Sequence, residues 1–135
     1  MGNFLKSRAV EVETAKEPDR NGAWGRLIYF DLMQQSGVHK KYPREFQSLF
    51  VYDRLENTLE RVTPALKSGK TVLQDRCAAA TICYGAKSKD NFLEYFDLNQ
   101  EILRPFLLWP DIVFILDIPA FTAIERLKKQ GKEFD

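Results

Sequence analysis

The chain has 135 residues, 44% hydrophobic and 29% charged, with a formal net charge of +1. This length fits one domain, and so small a net charge gives no electrostatic reason to expect binding to nucleic acid or a membrane surface. No apolar run approaches the roughly 18 residues that a membrane-spanning helix needs, and residues 1–8 have no apolar stretch of signal-peptide length. Cys77 and Cys83 fit neither a zinc pattern nor a disulfide framework, so we expect free thiols and a cytoplasmic location.

The first third of the chain predicts a strand and then a helix. Residues Ala9–Thr14 alternate between apolar and charged, which indicates a half-exposed strand, and the run 16–19 with its proline breaks it. Apolar residues between Trp24 and Met33 have helical spacing, and Ser36-Gly37 ends that segment. His39 lies in a polar stretch and is expected in a solvated loop.

A long helix is predicted over Pro43–Lys67, because its apolar residues recur every three to five positions. Pro43 suits the first turn of a helix, and Gly69 suits its C-terminal stop. A short strand, Thr71–Gln74, and a helical stretch through Tyr84 follow.

The last third alternates in the same way. A loop at 85–90 precedes an amphipathic helix whose apolar stripe runs from Phe92 to Phe106. The continuously apolar run Ile112–Leu116 is typical of a parallel strand covered on both faces, so a strand is predicted over Ile112–Ile118, and a helix from Phe121 to Gln130 follows. Strands that alternate with helices predict an α/β fold, a doubly wound parallel sheet with flanking helices.

The pair Asp75-Arg76 directly follows the short strand. Ligands of α/β proteins bind at the carboxyl ends of the strands, and a guanidinium is well suited to phosphate or carboxylate. The alternative is a charge pair that only closes the strand at the surface.

Four segments, in this order, resemble the thymidylate kinase family of P-loop nucleoside-monophosphate kinases. They are Lys16-Glu17-Pro18, the run 50–54 in the long helix, Asp75-Arg76 with Tyr84, and the run 110–119 leading into 123–127. The resemblance covers nearly the whole chain. It implies a P-loop kinase type of fold and dTMP kinase activity.

The resemblance also implies roles for residues of the first two segments. Lys16 would hold the phosphate of the acceptor nucleotide, at a place where the family usually has arginine. Phe50 would stack on thymine, and Arg54 would hydrogen-bond the base. Phe50 can also be read as an ordinary core residue. Arg54 lies on the apolar stripe of its helix, where a charge needs a partner.

The third segment supplies the other implied site residues. Arg76 would bind the monophosphate, and Asp75 would lie near the Mg²⁺ shell and contact the metal through water. Thr81 would lie near the base, and Tyr84 would close over the nucleoside. The sequence departs from the usual family pattern at two nearby positions, Cys77 and Ala80, which puts the choice of acceptor base in question.

The glycine-rich phosphate-binding motif of P-loop kinases needs two glycines five positions apart, and this sequence has no such pair. We therefore expect a single partial domain over residues 1–135, the acceptor-nucleotide half. The first and last strands, the P-loop and the C-terminal lid are expected to be missing. The full-length protein would transfer phosphate from ATP to dTMP with Mg²⁺, whereas this chain alone is expected to be inactive.

Two other functions fit the sequence. One is a non-catalytic nucleotide-binding or regulatory protein derived from such a kinase, since the acceptor residues persist without the donor motif. The other is a small interaction domain of unrelated function. For the kinase, the resemblance implies a homodimer whose partners are dTMP and ATP, with no nucleic acid and no membrane.

Overall fold

The computed structural model describes residues 1–34, 37–86, 89–129 and 131. Two strands, β1 (Val12–Lys16) and β2 (Thr71–Asp75), form a parallel pair in which Val12 lies opposite Thr71 and Lys16 opposite Asp75. The predicted parallel α/β arrangement is therefore present. Double winding and the missing strands stay predictions.

Eight α-helices are present among the described residues. They are α1 (Gly2–Lys6), α2 (Ala23–Gln34), α3 (Val38–Lys41), α4 (Pro43–Asn57), α5 (Thr63–Lys67), α6 (Ala78–Gly85), α7 (Lys89–Leu103) and α8 (Ala120–Lys129). In the part of the chain that is described, no helix has the length and apolar character needed to cross a membrane.

The predicted helix over 43–67 is present but is not uniform. A π-helical turn, Thr58–Val62, joins α4 to α5. Pro64, in the first turn of α5, has no N–H to donate and would crowd the carbonyl of residue 60, so a local widening of the helix accommodates it. Gly69 has φ +79°, the left-handed conformation that ends many helices, which confirms the predicted stop.

The other helices lie close to their predicted places. The loop at 85–90 is shorter than expected, because α6 includes Gly85 and α7 begins at Lys89. Ser36 and Gln130, the predicted ends of two helices, lie outside the described residues.

The strand predictions need two corrections. The first strand runs over Val12–Lys16 instead of Ala9–Thr14, because a turn after α1, with φ +59° at Ala9, delays its start. The predicted strand Ile112–Ile118 is wrong: this segment has no regular secondary structure, and Leu116 is 90% exposed. A strand requires a hydrogen-bonded neighbour, and in the described residues β2 pairs only with β1.

The prediction for His39 is also wrong. His39 lies in α3, and its Nδ1 is 2.8 Å from the Oδ2 atom of the buried Asp31. The ring also packs at a tilt against Phe46, with 5.6 Å between ring centroids. Asp31, which lies eight positions earlier, and the ring of Phe46 hold this histidine, and its local polar sequence indicates neither.

The core lies where α4, α6 and α7 meet. Its buried members are Val51, Ile82, Tyr95, Leu98 and Leu103. Close packing here depends on Gly85, because a Cβ at that position would lie 2.9 Å from the ring of Tyr95. The core fixes α4 and α6 side by side, next to the carboxyl ends of both strands.

Candidate functional site

The carboxyl ends of the two strands carry a pair of opposite charges. Parallel register places Lys16 opposite Asp75, and Lys16 Nζ lies 3.0 Å from Asp75 Oδ2. Both side chains are more than half exposed. Screening by water makes such a pair a weak contributor to stability, so these charges remain available to a ligand.

Arg76 follows β2 in a strained backbone conformation. Its φ of +72° lies in the left-handed region, a backbone conformation that residues other than glycine adopt at a cost of about 1–3 kcal/mol. Its guanidinium lies over the ring of Tyr84, 6.0 Å from the centroid, and Tyr84 is 78% exposed. Strain of this kind is concentrated at functional sites, where the direction of a side chain matters more than its backbone energy.

Arg54 of α4 is buried in a polar network, with an exposed fraction of only 4%. Its Nη1 donates to Asn99 Oδ1, and its Nη2 donates to Glu17 Oε2 and Thr81 Oγ1, each at 2.6 Å. The predicted need of this charge for a partner is confirmed. Among the described residues its Nε has no hydrogen-bond partner, and an unpaired buried donor costs about 1–3 kcal/mol.

Glu17, the partner of Arg54, is 3% exposed at the end of β1. Burial raises the pKa of its carboxyl above the usual range, while attraction to Arg54 and hydrogen bonds from Arg54 and Gln74 act in the opposite direction. A buried ion pair contributes little net stability, but removing one member leaves an uncompensated charge. The pair therefore fixes geometry more than it strengthens the fold.

Phe50 lies on α4 one turn before Arg54 and is half-buried. Its ring meets the buried Phe46 edge to face, with 5.6 Å between centroids. This contact fits the reading of Phe50 as a core residue, and its partial exposure leaves ring surface for a ligand. Its role in stacking stays a prediction.

Two carboxylates of α4 hold the loop between β1 and α2. Asp53 accepts the backbone N–H of Asp19 at 3.1 and 3.2 Å, and Glu56 accepts that of Ala23 at 3.2 and 3.3 Å. Gly25 packs so closely below this loop that a Cβ there would lie 1.8 Å from the Asp19 carbonyl oxygen. Burial raises the pKa of Asp53 to about 7, although the Asp19 N–H lowers it.

The structure brings the predicted site residues together in three groups. Lys16 contacts Asp75, Arg54 contacts Thr81, and Arg76 contacts Tyr84. That Lys16 and Arg76 bind one phosphate together stays a prediction.

Sequence reasoning missed the residues that support Arg54. Glu17 appeared only as part of a short motif, and its burial depends on partners at positions 54 and 74. Asn99 offered one signal, because it is a polar residue on the apolar stripe of α7, where it is 1% exposed.

The chain is similar to known proteins over nearly its whole length. The family model described as thymidylate kinase matches residues 2–135. A thymidylate kinase from Fervidobacterium nodosum is 35% identical over 134 residues, which are 97% of this chain and 64% of the relative. A thymidylate kinase from Akkermansia muciniphila is 34% identical, over 96% of this chain and 58% of the relative.

An archaeal relative, a probable thymidylate kinase from Archaeoglobus fulgidus, is 29% identical over 98% of this chain and 62% of its own length. The chain thus spans about three fifths of the length of these curated relatives. Since the family model matches all but the first residue, the chain belongs to the thymidylate kinase family.

Proposed function

We propose that this single domain carries the acceptor-nucleotide half of a dTMP kinase site, in a protein that transfers phosphate from ATP to dTMP. The observation that carries the proposal is the contact between Arg54 and Thr81, 2.6 Å long and buried. It joins two residues, from different helices, to which the family resemblance assigns the same nucleotide. The sequence itself has no glycine-rich phosphate loop, so we expect no catalysis by this chain alone.

The acceptor phosphate would bind between the strand ends. Lys16, the last residue of β1, supplies a compact ammonium. Arg76, the first residue after β2, supplies a planar guanidinium. Two cations from separate elements can hold a phosphate in line with a donor, which is the main protein contribution in this reaction class. Lys16 lies beside Asp75 at the strand end, and the phosphate would replace this weak, exposed ion pair.

The base would lie between α4 and α6. Phe50 offers a half-exposed ring for stacking, and Tyr84 offers an exposed ring beside Arg76. Arg54 offers only N–H donors, so it favours a base with a carbonyl acceptor over one with an amino group. Thr81, which accepts a hydrogen bond from Arg54, has its hydroxyl hydrogen left to donate.

Mg²⁺ would accompany ATP, and Asp75 is the residue that fits a role near it. A carboxylate supplies hard oxygen ligands that suit this ion. In Asp75, Oδ2 forms an ion pair with Lys16. No cluster of three acidic, histidine or cysteine side chains suited to a metal occurs in the described part of the chain. A contact through water is therefore the role we assign to Asp75. When bound, the ion would offset charge on the transferred phosphate.

Titration calorimetry with dTMP tests the proposal through Arg76→Gly. Glycine accepts the left-handed backbone, so we expect a melting temperature no lower than that of the unmodified chain. Loss of the guanidinium should weaken dTMP binding by about 30-fold, or about 2 kcal/mol. The same titration with dUMP, UMP and CMP ranks the acceptor bases.

Ala9→Gly is the matched control, because Ala9 also has a positive φ, +59°, and lies in the turn after α1. It should relieve strain and leave dTMP binding unchanged. Full affinity in Arg76→Gly would contradict the phosphate role of Arg76, and absence of dTMP binding by the unmodified chain would contradict the proposed function.

A further inference from the structure

The Glu17 carboxylate is bound on both oxygens by residues from different elements. Oε2 accepts from Nη2 of Arg54 on α4, and Oε1 accepts from the side-chain amide of Gln74 on β2. The backbone N–H of Glu17 also donates to the Asp75 carbonyl at 3.0 Å. Glu17 therefore has little freedom to move, and its position is set by the ends of both strands.

The guanidinium of Arg54 is in turn held on three sides. Nη2 donates hydrogen bonds to Glu17 and Thr81, and Nη1 donates one to Asn99. Asn99 is itself fixed, because its Nδ2 donates to the Tyr95 carbonyl at 2.7 Å. This leaves Nε as the nitrogen of Arg54 with no partner among the described residues.

We propose that Glu17 is a positioning residue for base selection, which acts through Arg54 without touching the nucleotide. This inference rests on the proposed function. Glu17 holds the guanidinium in one orientation, so that the Nε–H donor meets the acceptor group of the base. Thr81 and Asn99 complete the hold.

The physical basis is the one-sided chemistry of arginine. A guanidinium donates hydrogen bonds and accepts none, so a fixed guanidinium rejects a group that also only donates. Thymine presents a carbonyl, O4, where cytosine presents an amino group. A guanidinium free to turn away would no longer impose that penalty, so selection between the two bases depends on what holds Arg54 still.

The first test needs no nucleotide. In the chain labelled with ¹⁵N-arginine, the Nε–H resonance of Arg54 is identified by its loss in Arg54→Lys. Glu17→Gln should raise its exchange rate with water by about tenfold, because the neutral amide holds the cation less firmly. Glu11→Gln makes the same change at an exposed residue beside β1 and should leave the rate unchanged.

Circular dichroism shows whether each variant is folded. If Glu17→Gln does not fold, Gln74→Ala keeps the ion pair and removes the hydrogen bond to Oε1, and it should raise the exchange rate by about threefold. A folded Glu17→Gln with the exchange rate of the unmodified chain would overturn the proposal. If Glu17→Gln does not fold, an unchanged exchange rate in Gln74→Ala would also overturn the proposal.

The second test compares dTMP with dCMP by calorimetry. Glu17→Gln should reduce the ratio of the two affinities by about tenfold, whereas a residue that only stabilised the fold would weaken both nucleotides alike. An unchanged ratio would overturn the role in base selection. If neither nucleotide binds the unmodified chain but Glu17→Gln still raises the exchange rate of the Arg54 Nε–H, the proposed function is wrong. The role of Glu17 in fixing the orientation of Arg54 would then still be supported.

Discussion

At the scale of single residues, Asp53 makes stability depend on pH. Burial raises its pKa from 3.8 to about 7. The unfolded chain releases this proton near pH 4 and the folded chain keeps it up to about pH 7, so the free energy of unfolding falls as pH rises through this interval. The contribution of Asp53 to the free energy of unfolding is fully present below about pH 4 and is lost above about pH 7.

Asp53→Asn tests this expectation, because asparagine does not titrate and keeps an oxygen for the Asp19 N–H. Melting temperatures measured between about pH 4 and pH 8 should fall less steeply in the variant. Burial also raises the pKa of Glu17, and the charge of Glu17 is one of the causes that raise the pKa of Asp53. The difference between the two proteins therefore reports Asp53 together with its coupling to Glu17. Parallel curves would show that Asp53 titrates normally.

The residues of the candidate site differ in how well a sequence can predict them. A charged residue on the apolar stripe of a helix predicts a buried partner of opposite charge, and the ion pair between Arg54 and Glu17 confirms that reasoning. The identity of the partner could not be predicted, because Glu17 lies 37 positions away and has no local sign of burial. His39 shows the same limit, since its bond to Asp31 depends on how α2 and α3 meet.

At the scale of elements, periodicity predicts helices well because the apolar stripe is itself the reason that a helix packs. The helix over 43–67 and the helix of residues 92–106 are both present within a few residues. A strand depends on a neighbour as well as on its own sequence. Ile112–Ile118 has the composition of a buried strand, but no described neighbour is paired with it.

The packing of α7 on α4 and α6 gives a stability prediction. Leu103 is fully buried in the core, so Leu103→Ala should lower the free energy of unfolding by about 3 kcal/mol. Leu93→Ala removes the same atoms from a half-exposed position of the same helix and should cost less than about 0.5 kcal/mol. Urea unfolding measures both, and equal costs would mean that α7 does not pack as described.

At the scale of the whole molecule, the apolar run 112–116 leaves a large hydrophobic surface in water. Ile115 is 83% exposed and Leu116 90%. Exposed apolar segments of this kind promote association, so we expect the chain to aggregate as its concentration rises. Changing Ile115 and Leu116 together to lysine should suppress the increase in light scattering.

The control adds the same two charges elsewhere, at Leu59 and Leu66, which are 44% and 47% exposed on the π-helical turn and α5. It should leave the scattering close to that of the unmodified chain. Equal suppression by both pairs would mean that net charge, and not this segment, governs association.

The network around Arg54 also has a consequence for the order in which the chain matures on the ribosome. Its members come from the end of β1, from α4, from α6 and from α7, so the last of them to be synthesised is Asn99. Until that residue emerges, a nascent chain that had already folded around Arg54 would hold a guanidinium with one of its partners absent. Early collapse is therefore disfavoured, and the region around Arg54 should form late, in one step with the docking of α7.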